Sequence, residues 1–379
     1  MELIVGQITI NCDFPGGNIH VFAVDGSHFW LGPDQRDTNP EGPWFYWCFQ
    51  TRGQGGQELT FHFQDSSLIG TRGPAVSYDG GKHWLWLGRT CLDGAAFTCR
   101  IPNDADSIHL ALAMPYTGAQ LEDFLREFTE HLHLERGQLC LSQQGRSVEK
   151  LRVGRLDGGA PFCLVLTARH HACECMASYE LEGLIAAMLG DDDLGRWFQQ
   201  HVQALVIPFV DRDGVENGDQ GKNRIPHDHN RDYFDFLYPE TRAIRSQIFP
   251  WSKGRPLIAL DLHCPLLRDR FNESVSILGG PDPGLWAEIE QLSACLETVQ
   301  SGVLRYRAAD NMPFGTDWNM GFDLEMKCFH GWVGRLPGVR LAGAVELPYA
   351  TANGQEVNPT TARAFGRDIA AAIRAYLEN

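Results

Sequence analysis

Basic residues are scarce in this sequence, and that scarcity argues against nucleic-acid binding. There are 32 Lys and Arg residues against 48 Asp and Glu, which leaves a formal net charge of −16 at pH 7. Binding to a phosphate backbone relies on clustered positive charge, whereas the basic residues here are dispersed along the chain. We therefore expect neither DNA nor RNA as a partner.

Long apolar runs and paired-cysteine motifs are also missing. No stretch of about 18 apolar residues occurs, so we expect no membrane span. The first residues, MELIVGQITINCDF, lack the basic and small-residue features of a secretory signal. The 11 cysteines are odd in number, irregularly spaced and without a CxxC motif. This pattern favours free thiols in a reducing compartment, so we expect a cytoplasmic protein.

The first 115 residues consist of short alternating runs separated by Gly, Pro, Asp and Asn. Regularly spaced short strands of this kind predict an N-terminal antiparallel β-sandwich domain over residues 1–115. Its aromatic residues could form a carbohydrate or peptide platform, but we interpret them as the core of the sandwich. These aromatics are Trp44, Phe45, Tyr46, Trp47, Trp84 and Trp86.

Residues 116–379 have a different sequence pattern, in which predicted apolar strands alternate with predicted amphipathic helices. This alternation predicts an α/β domain with a mostly parallel or mixed sheet. The predicted strands are 163–167, 204–210, 257–262 and 342–347, and the predicted helices are 117–131, 176–189, 285–299 and 358–377. We find no internal repeat and no low-complexity segment.

Polar residues that can bind metal follow four of the predicted strands. Because ligands of open α/β sheets bind at the carboxyl ends of the strands, we expect these side chains to meet at one edge. His171 and Glu174 have ligand spacing after the first strand, and His263 follows the third. Two histidines, a carboxylate and a water form a catalytic zinc set. A site containing Cys173, Cys175 or Cys264 is the alternative, since thiolates bind zinc strongly.

Several short motifs, in this order, make the chain resemble the zinc carboxypeptidases, and more closely their cytosolic carboxypeptidase branch. The motifs are GNI at 17–19, PYT at 115–117, ARxHxxExxxS at 168–178, DGVxNG at 213–218, DxNR at 228–231, DLH at 261–263 and AVE at 344–346. The resemblance spans nearly the whole chain. It implies a zinc carboxypeptidase-like mixed β-sheet flanked by helices and preceded by the sandwich.

The resemblance implies roles that agree with the chemistry of the residues. His171, Glu174 and His263 would hold a single zinc ion, and Glu346 would act as the general base that accepts the proton of the attacking water. Glu325, within FDLEM, is a rival for the general base.

The loop of residues 211–233 is expected to carry the groups that recognise substrate. Asp228 would orient a zinc-ligating histidine from behind, and Asn230 with Arg231 would clamp the terminal carboxylate of the substrate. Arg224 is our choice for the cation that stabilises the developing oxyanion. We assign no role to His227 or His229 and do not expect His170 to bind the metal.

The sequence says less about specificity. Eukaryotic members of the branch remove glutamates from acidic protein tails, and a glutamate-directed pocket should contain a cation. The candidates before Glu346 are Lys327, Arg335 and Arg340. The family's pocket tyrosine is not evident, because Tyr306 is the only tyrosine between His263 and Glu346. Trp318 could take its place, or the role is absent.

Three functions remain open at this stage. The first is a cytoplasmic zinc metallocarboxypeptidase that hydrolyses a C-terminal peptide or isopeptide bond, with glutamate release from acidic tails as one form of it. The second is a zinc-dependent deacylase or amidohydrolase that acts on a small N-acyl amino acid. The third is a non-catalytic peptide-binding protein in which the sandwich is the working part.

Overall fold

The computed structural model describes residues 2–37, 44–267, 272–319 and 326–379. In the N-terminal part, two sheets pack face to face around an aromatic core. The strands of this part are β1 (Glu2–Val5), β2 (Ile8–Asn11), β3 (His20–Asp25), β4 (His28–Gly32), β5 (Cys48–Arg52), β6 (Glu58–His62), β7 (Ala75–Ser77), β8 (Leu85–Trp86), β9 (Leu92–Asp93), β10 (Ala96–Arg100) and β11 (Ser107–Ala111).

The first sheet has the strand order β1-β2-β5-β11-β7-β8, and the second has the order β3-β4-β6-β10-β9. All pairs in these sheets are antiparallel except β4 with β6, which run parallel. The predicted sandwich is therefore confirmed, with this single parallel pair as the departure from a purely antiparallel design. Its interior holds the predicted aromatics: the four from Trp44 to Trp47 are buried, and Trp84 and Trp86 pack against the core.

The second part contains a seven-stranded mixed sheet between helices. Its strands, with a small hairpin at the end, are β12 (Leu134–Leu141), β13 (Ser147–Gly154), β14 (Phe162–Ala168), β15 (Val202–Ile207), β16 (Leu257–His263), β17 (Ser276–Leu278), β18 (Val339–Glu346), β19 (Thr351–Ala352) and β20 (Gln355–Glu356). The helices are α1 (Gly118–Arg126), α2 (Cys175–Leu189), α3 (Asp193–His201), α4 (Arg212–Asn217), α5 (Pro239–Ser252), α6 (Pro283–Val299), α7 (Phe329–Val333) and α8 (Pro359–Glu378).

The order of the large sheet is β12-β13-β15-β14-β16-β18-β17. Its four central strands are parallel to one another, which is why they are apolar along nearly their whole length and buried on both faces. The outer strands β12, β13 and β17 pair in antiparallel fashion. The mixed sheet predicted from the sequence is confirmed.

Helix α2 lies between the sheet and α8, so 14 of its 15 residues are buried. The two helices approach closely because glycines face each other across the contact. A Cβ added to Gly183 would lie 2.0 Å from the carbonyl oxygen of Arg363, and one added to Gly366 would lie 2.0 Å from that of Glu180. The close contact fixes α2, and with it the turn that precedes the helix, against the rest of the domain.

The clearest departures from the prediction are at α1, at β15 and in the loop after β15. Helix α1 ends at Arg126 rather than at residue 131, because residues 127–129 continue with tighter hydrogen bonds to the third preceding residue and Glu130 adopts a left-handed φ of 65°. Strand β15 starts earlier and ends at Ile207 instead of residue 210. The predicted polar loop of residues 211–233 contains the short helix α4.

The sandwich contacts the loop that follows β15. Gly16 donates a backbone hydrogen bond to the carbonyl oxygen of Glu216 at 2.9 Å, and the Asn18 amide donates to Gly218 O at 2.8 Å. Gln220 Oε1 accepts hydrogen bonds from the backbone N–H groups of Phe45, at 2.6 Å, and Tyr46, at 3.2 Å. The sandwich thus holds in place the loop that carries most of the predicted substrate-binding residues.

All 11 cysteines are free thiols. Among the described residues, no helix combines the length and the apolar character that crossing a bilayer requires.

Candidate metal centre

His171, Glu174 and His263 meet at the carboxyl edge of the central strands. His171 lies in the turn after β14, Glu174 stands directly before α2, and His263 is the last residue of β16. Glu174 Oε1 lies 2.9 Å from His171 Nδ1, and its Oε2 lies 2.7 Å from His263 Nδ1. One ligand atom from each residue falls within 4.8 Å of the other two. The structure therefore brings together the three side chains that the sequence predicts as metal ligands.

The turn that presents His171 and Glu174 is shaped by Arg169. This residue is buried and adopts a left-handed φ of 60°, which reverses the chain directly after β14. Its guanidinium donates hydrogen bonds to the carbonyl oxygens of Ala172 and Tyr116 and to Ser178 Oγ. The buried cation thus ties the turn to both the sandwich side and the first turn of α2.

The distal nitrogens of both histidines face carboxylates. His263 Nε2 lies 2.6 Å from Asp261 Oδ2, and His171 Nε2 lies 3.5 Å from Asp228 Oδ1. A carboxylate on the far nitrogen fixes the ring tautomer and leaves Nδ1 free to bind a metal. Two imidazole nitrogens and one carboxylate, all buried and converging on one point, are a donor set that fits zinc. Asp228 stands where the sequence places it, behind His171.

Neighbouring charges shift the pKa values of the residues in the ligand cluster. Burial disfavours the charged form of Glu174, but Lys222 and the two histidines outweigh that effect and hold the pKa of its carboxyl well below the ordinary value. Burial likewise opposes protonation of His263, yet Asp261 and Glu174 raise the pKa of its imidazole well above the ordinary value. The carboxylates of Asp261 and Glu174 therefore favour positive charge on their neighbours, and a bound cation would supply it.

A second group of residues that could hold a metal ion shares His263 with the first group. It consists of His170, Asp261 and His263. Both ring nitrogens of His170 have protein partners, because Nδ1 lies 2.8 Å from Asp261 Oδ1 and Nε2 lies 2.7 Å from the hydroxyl of Tyr233. The Asp261 carboxylate also accepts a hydrogen bond from Thr167. This set is a closed hydrogen-bond network that supports His263 from behind.

Cysteines lie close to the ligand cluster without joining it. Cys173 Sγ lies 3.4 Å from the hydroxyl of Tyr349, and burial raises the pKa of the Cys173 thiol to about 12. Burial also raises the pKa of Cys175, to about 11, and that of Cys264. Within the described part of the chain, neither of the two groups of residues that could hold a metal ion includes a cysteine. The cysteine alternative therefore gains no support from the geometry.

Glu346 stands beside the ligand cluster. It pairs in register with His263, on the adjacent strand β18, and both side chains line the same cavity. Its Oε2 atom is buried without a hydrogen-bond partner among the described residues. Burial, followed by repulsion from Glu174, raises the pKa of the Glu346 carboxyl to about 7. A buried carboxylate with such a pKa is suited to proton transfer near neutral pH. The rival Glu325 lies outside the described residues.

Lys222 is a cation of the site that the sequence analysis missed. Its Nζ lies 2.8 Å from Glu174 Oε1 and donates a hydrogen bond to the carbonyl oxygen of Cys264 at 3.0 Å. Burial disfavours the ammonium, but Glu174 more than offsets this and keeps the pKa of Lys222 above its usual value. The signal that could have found it is its place in the polar loop after β15, only six residues before Asp228.

Arg224 does not reach this cavity. Its guanidinium lies 2.8 Å from Asp37 Oδ2, 2.8 Å from Asp211 Oδ2 and 3.5 Å from Asp219 Oδ2. It lines a separate cavity of about 340 Å³, next to His229. A guanidinium held by three carboxylates is neutralised where it stands, so the predicted contact of Arg224 with an oxyanion has no support in these contacts.

Asn230 and Arg231 do line the cavity of the ligand cluster. The amide of Asn230 is engaged by the protein, since its Oδ1 accepts a hydrogen bond from Phe329 N at 3.0 Å and its Nδ2 lies 3.2 Å from His263 Nε2. Arg231 is half-buried and donates a hydrogen bond to the carbonyl oxygen of Asn230 at 2.9 Å. The pair is thus fixed next to the cluster, with Arg231 on the cavity wall.

The cavity has a volume of about 520 Å³, enough for one or two amino-acid residues. Its other walls come from several segments of the second part of the chain. They include Asn223, Pro265, Leu266, Asn272, Leu278, Phe314, Asp317, Trp318, Asn319, Met326, Cys328, His330 and Ala344.

None of the three predicted selector cations is among the described residues that line this cavity. Arg340 lies 3.6 Å from Glu288 Oε2, with its guanidinium 4.4 Å above the ring of Tyr376. The ammonium of Lys327 lies 5.3 Å from the ring centre of Phe234. Arg335 follows α7 and donates a backbone hydrogen bond to Trp332.

Two solved structures with a similar fold are metallo-carboxypeptidases. The metallo-carboxypeptidase of Burkholderia cenocepacia has a TM-score of 0.80 at 19% sequence identity, with 98% of this chain and 99% of that chain covered. The metallo-carboxypeptidase of Pseudomonas aeruginosa, solved in complex with (2-guanidinoethylmercapto)succinic acid, has a TM-score of 0.78 at 20% identity, with 97% and 99% covered. The similarity therefore extends over both the sandwich and the α/β part.

Curated relatives are similar over part of their length. The chain is 25% identical to cytosolic carboxypeptidase 6 of Caenorhabditis elegans over 291 residues, which cover 68% of this chain and 62% of the relative. It is 25% identical to cytosolic carboxypeptidase 2 of Danio rerio over 234 residues, which cover 53% of this chain and 32% of the relative. The chain thus spans less than two thirds of the length of these relatives. No family model matches it. The chain thus has the fold of metallo-carboxypeptidases and is similar in sequence to cytosolic carboxypeptidases.

Proposed function

We propose that this protein is a zinc-dependent metallocarboxypeptidase that hydrolyses a C-terminal peptide or isopeptide bond. The observation that carries the proposal is the meeting of His171, Glu174 and His263 with Glu346 in a single cavity. Three protein ligands with a buried carboxylate beside them are the arrangement of a hydrolytic zinc site. The fold and the named relatives support the same class of reaction.

In this mechanism, the metal would activate the water and the carbonyl group, and the general base would transfer the proton. A zinc ion held by the two histidines and Glu174 would polarise the scissile carbonyl group and acidify a water molecule. Glu346 would accept the proton of the attacking water at its unpartnered Oε2 and then deliver it to the leaving nitrogen. Burial supports this role, because the raised pKa of Glu346 brings proton uptake and release close to neutral pH.

Lys222, rather than Arg224, is our choice for the group that stabilises the oxyanion. Its ammonium lies at the ligand cluster, is held by the carbonyl oxygen of Cys264 and remains charged. A fixed cation in a buried site stabilises charge that develops in the transition state without reorganisation of solvent. Arg224 would instead act at a distance, by tying the loop to Asp37 of the sandwich.

Arg231 would bind the terminal carboxylate of the substrate. Its planar guanidinium can meet a carboxylate with two parallel hydrogen bonds, a geometry that a lysine cannot provide. Asn230 would hold Arg231 and His263 in position through its own amide contacts. Asp228 would orient His171 from behind the ring.

A peptide or protein C-terminus is the substrate that this arrangement suits. The free thiols support a reducing compartment, the cytoplasm, as its location. Release of glutamate from acidic tails would need a cation for the side-chain carboxylate. The three cations predicted for that task are absent from the described cavity wall. The cations that do line the described wall are Lys222 and Arg231, and both have other tasks in this mechanism.

Two alternatives lead to different measurements. A deacylase would release a carboxylic acid from an N-acyl amino acid and would not require the sandwich. A binding protein would retain peptides without cleaving them. The contacts of the sandwich with the loop that carries Lys222 and Arg231 favour the carboxypeptidase over both, since they link the N-terminal part to the catalytic cavity.

The test is hydrolysis of peptides by the zinc-loaded protein, followed by mass spectrometry. We expect removal of single residues from the C-terminus and no hydrolysis of small N-acyl amino acids that have no peptide bond. Blocking the peptide terminus as an amide should abolish cleavage, because Arg231 then loses its partner. Equal cleavage of amidated and free peptides would contradict the proposal.

A further inference from the structure

The wall of the cavity next to the general base is apolar. Ala344 and Glu346 are two residues apart on β18, so their side chains lie on the same face of the sheet, about 7 Å apart along the strand. Leu278 pairs with Ala344 on the neighbouring strand β17. A substrate residue held beside Glu346 therefore meets this pair next.

The same wall continues as a small hydrophobic cluster. Leu278 and Ala344 pack with the buried Met312, and Trp318 lies against them. Met326 and Cys328, which also line the cavity, are buried. These side chains offer dispersion and apolar contact area but no positive charge.

The other charged groups of the cavity do not supply a positive charge at the apolar wall. Among the described residues that line it, Lys222 and Arg231 are the lysines and arginines, and both belong to the side of the ligand cluster. Lys327, between Met326 and Cys328 in sequence, is not among the lining residues, whereas Asp317, adjacent to Trp318, is. Its carboxylate would repel an acidic side chain.

Trp318 and His330 carry polar groups on this wall. Trp318 Nε1 is buried and has no hydrogen-bond acceptor among the described residues. Both ring nitrogens of His330 lie 3.6 Å from Cys328 Sγ. A single hydrogen bond to a charged group stabilises it by about 1.5–3 kcal/mol, whereas taking a carboxylate out of water costs several kcal/mol. Among the described residues of this wall, a single hydrogen bond of this kind therefore does not offset the loss of water around a glutamate carboxylate.

We propose that this cavity accepts a C-terminal residue with an apolar, uncharged side chain, such as phenylalanine or leucine, and rejects glutamate. The proposal rests on the carboxypeptidase function above, and it departs from the glutamate release that the family resemblance implies. An aromatic or branched aliphatic side chain would fill the space between Leu278, Ala344 and Trp318.

Matched peptides that differ only in the last residue test the proposal. The zinc-loaded protein is assayed at pH 8 with peptides ending in Phe, Leu, Lys or Glu. We expect kcat/KM to be at least about 100-fold higher for the Phe or Leu peptide than for the Glu peptide, because the glutamate carboxylate would lose its hydration without gaining a partner. Equal or faster cleavage of the Glu peptide would overturn the proposal.

Two variants of one residue locate the selection at this wall. Trp318 lies in a short turn and is only half-buried, so its replacement carries little risk for folding. Trp318→Arg supplies the missing cation and should reduce the preference for Phe over Glu at least about tenfold. Trp318→Phe keeps an apolar ring and should retain the preference. An unchanged preference in Trp318→Arg would place the selection elsewhere and contradict the proposal.

Calorimetric binding of the same peptides to zinc-loaded Glu346→Gln separates this inference from the proposed function. If the wild type cleaves none of the peptides but the variant binds the Phe and Leu peptides most tightly, the activity is wrong and the pocket inference stands. If the wild type cleaves the Glu peptide best, the activity stands and the pocket inference falls. Absence of any binding preference in a protein that also cleaves nothing would overturn both.

Discussion

His263 and Glu346 face each other in register on the parallel strands β16 and β18. One is a proposed metal ligand and the other the proposed general base, so a single strand pairing sets the spacing between metal and base. The register is held by six further pairs along the two strands. Because a slip of one residue would turn Glu346 to the opposite face of the sheet, the apolar pattern of the buried strands protects the geometry of the site.

Replacing Glu346 with Gln should separate metal binding from catalysis. The amide keeps the size of the side chain but cannot accept the proton, so we expect kcat to fall by a factor of about 10²–10⁴. The zinc content should remain that of the wild type, since Glu346 belongs to neither of the ligand sets. Peptide cleavage and metal analysis on the same preparation measure both effects.

Glu356→Gln is the matched control for this experiment. Glu356 lies ten residues further along the chain, on the surface, where it forms an ion pair with Arg72 at 3.5 Å. The same chemical change there should leave both kcat and zinc content unchanged. Full activity in Glu346→Gln would exclude it as the base and leave Glu325 to be tested.

Removal of the metal should destabilise the protein. A ligand that binds only the folded state stabilises it by about 2.7 kcal/mol at a free concentration about 100 times its Kd. We therefore expect a chelator to lower Tm and zinc to restore it, whereas in His171→Ala neither treatment should change Tm. Differential scanning fluorimetry with and without chelator measures the shifts.

His201→Ala serves as the control for the metal experiment. His201 ends helix α3 and its Nδ1 lies 2.9 Å from the carbonyl oxygen of Trp197, remote in sequence from every predicted ligand. This variant should bind a single zinc ion per chain and respond to the chelator as the wild type does. If neither chelator nor zinc changed the Tm of the wild type, the result would contradict the proposed metal site.

Lys222→Met should lower kcat more than it raises KM. The variant keeps the length of the side chain and removes the charge, and loss of one oxyanion-stabilising donor costs a factor of about 10²–10³ in kcat. Steady-state kinetics on one good peptide substrate distinguish the two parameters.

Lys327→Met is the comparison, because Lys327 does not line the described cavity wall and packs over Phe234 instead. We expect its kinetics to stay within about twofold of the wild type, as for most surface substitutions. If Lys222→Met left kcat unchanged and Arg224→Met reduced it, the original assignment of the oxyanion role to Arg224 would be restored.

Regular elements and strand ends could be predicted because their signals are local. The apolar run of β16 predicts a buried parallel strand, and the metal-competent His263 ends it. The spacing of His171 and Glu174 predicts that both reach one point, and the structure places them 2.9 Å apart. These features depend on short-range pattern and on the direction of the strands.

The path of the loop after β15 could not be predicted in the same way. Residues 218–231 have no apolar period, and their conformation depends on contacts with the sandwich, which lies about 200 residues away in sequence for Asn18 and Gly218. Whether Lys222 or Arg224 faces the cavity is decided by the Asp37 and Asp211 carboxylates that hold Arg224. Sequence spacing alone contains no information about those partners.

The carboxylates around Arg224 predict a dependence of stability on pH. Burial, followed by repulsion from Asp37 and Asp211, raises the pKa of the Asp219 carboxyl from 3.8 to about 7. A carboxyl whose pKa is higher in the folded state contributes stability that is fully present below pH 3.8 and is lost as the pH rises through 7. Ionised Asp219 is therefore destabilising at pH 8, by a few kcal/mol at most.

Asp219→Asn removes this ionisation and leaves Arg224 paired with Asp37 and Asp211, each at 2.8 Å. We expect the variant to have a higher Tm than the wild type at pH 8, and the difference to shrink or reverse at pH 5.5, where Asp219 is protonated in the folded protein. Asp104→Asn, an exposed position, should show no such dependence on pH. A difference in Tm that is the same at both pH values would mean that Asp219 ionises normally. In that case Arg224 neutralises all three carboxylates, and its positive charge is fully used in holding the loop to the sandwich.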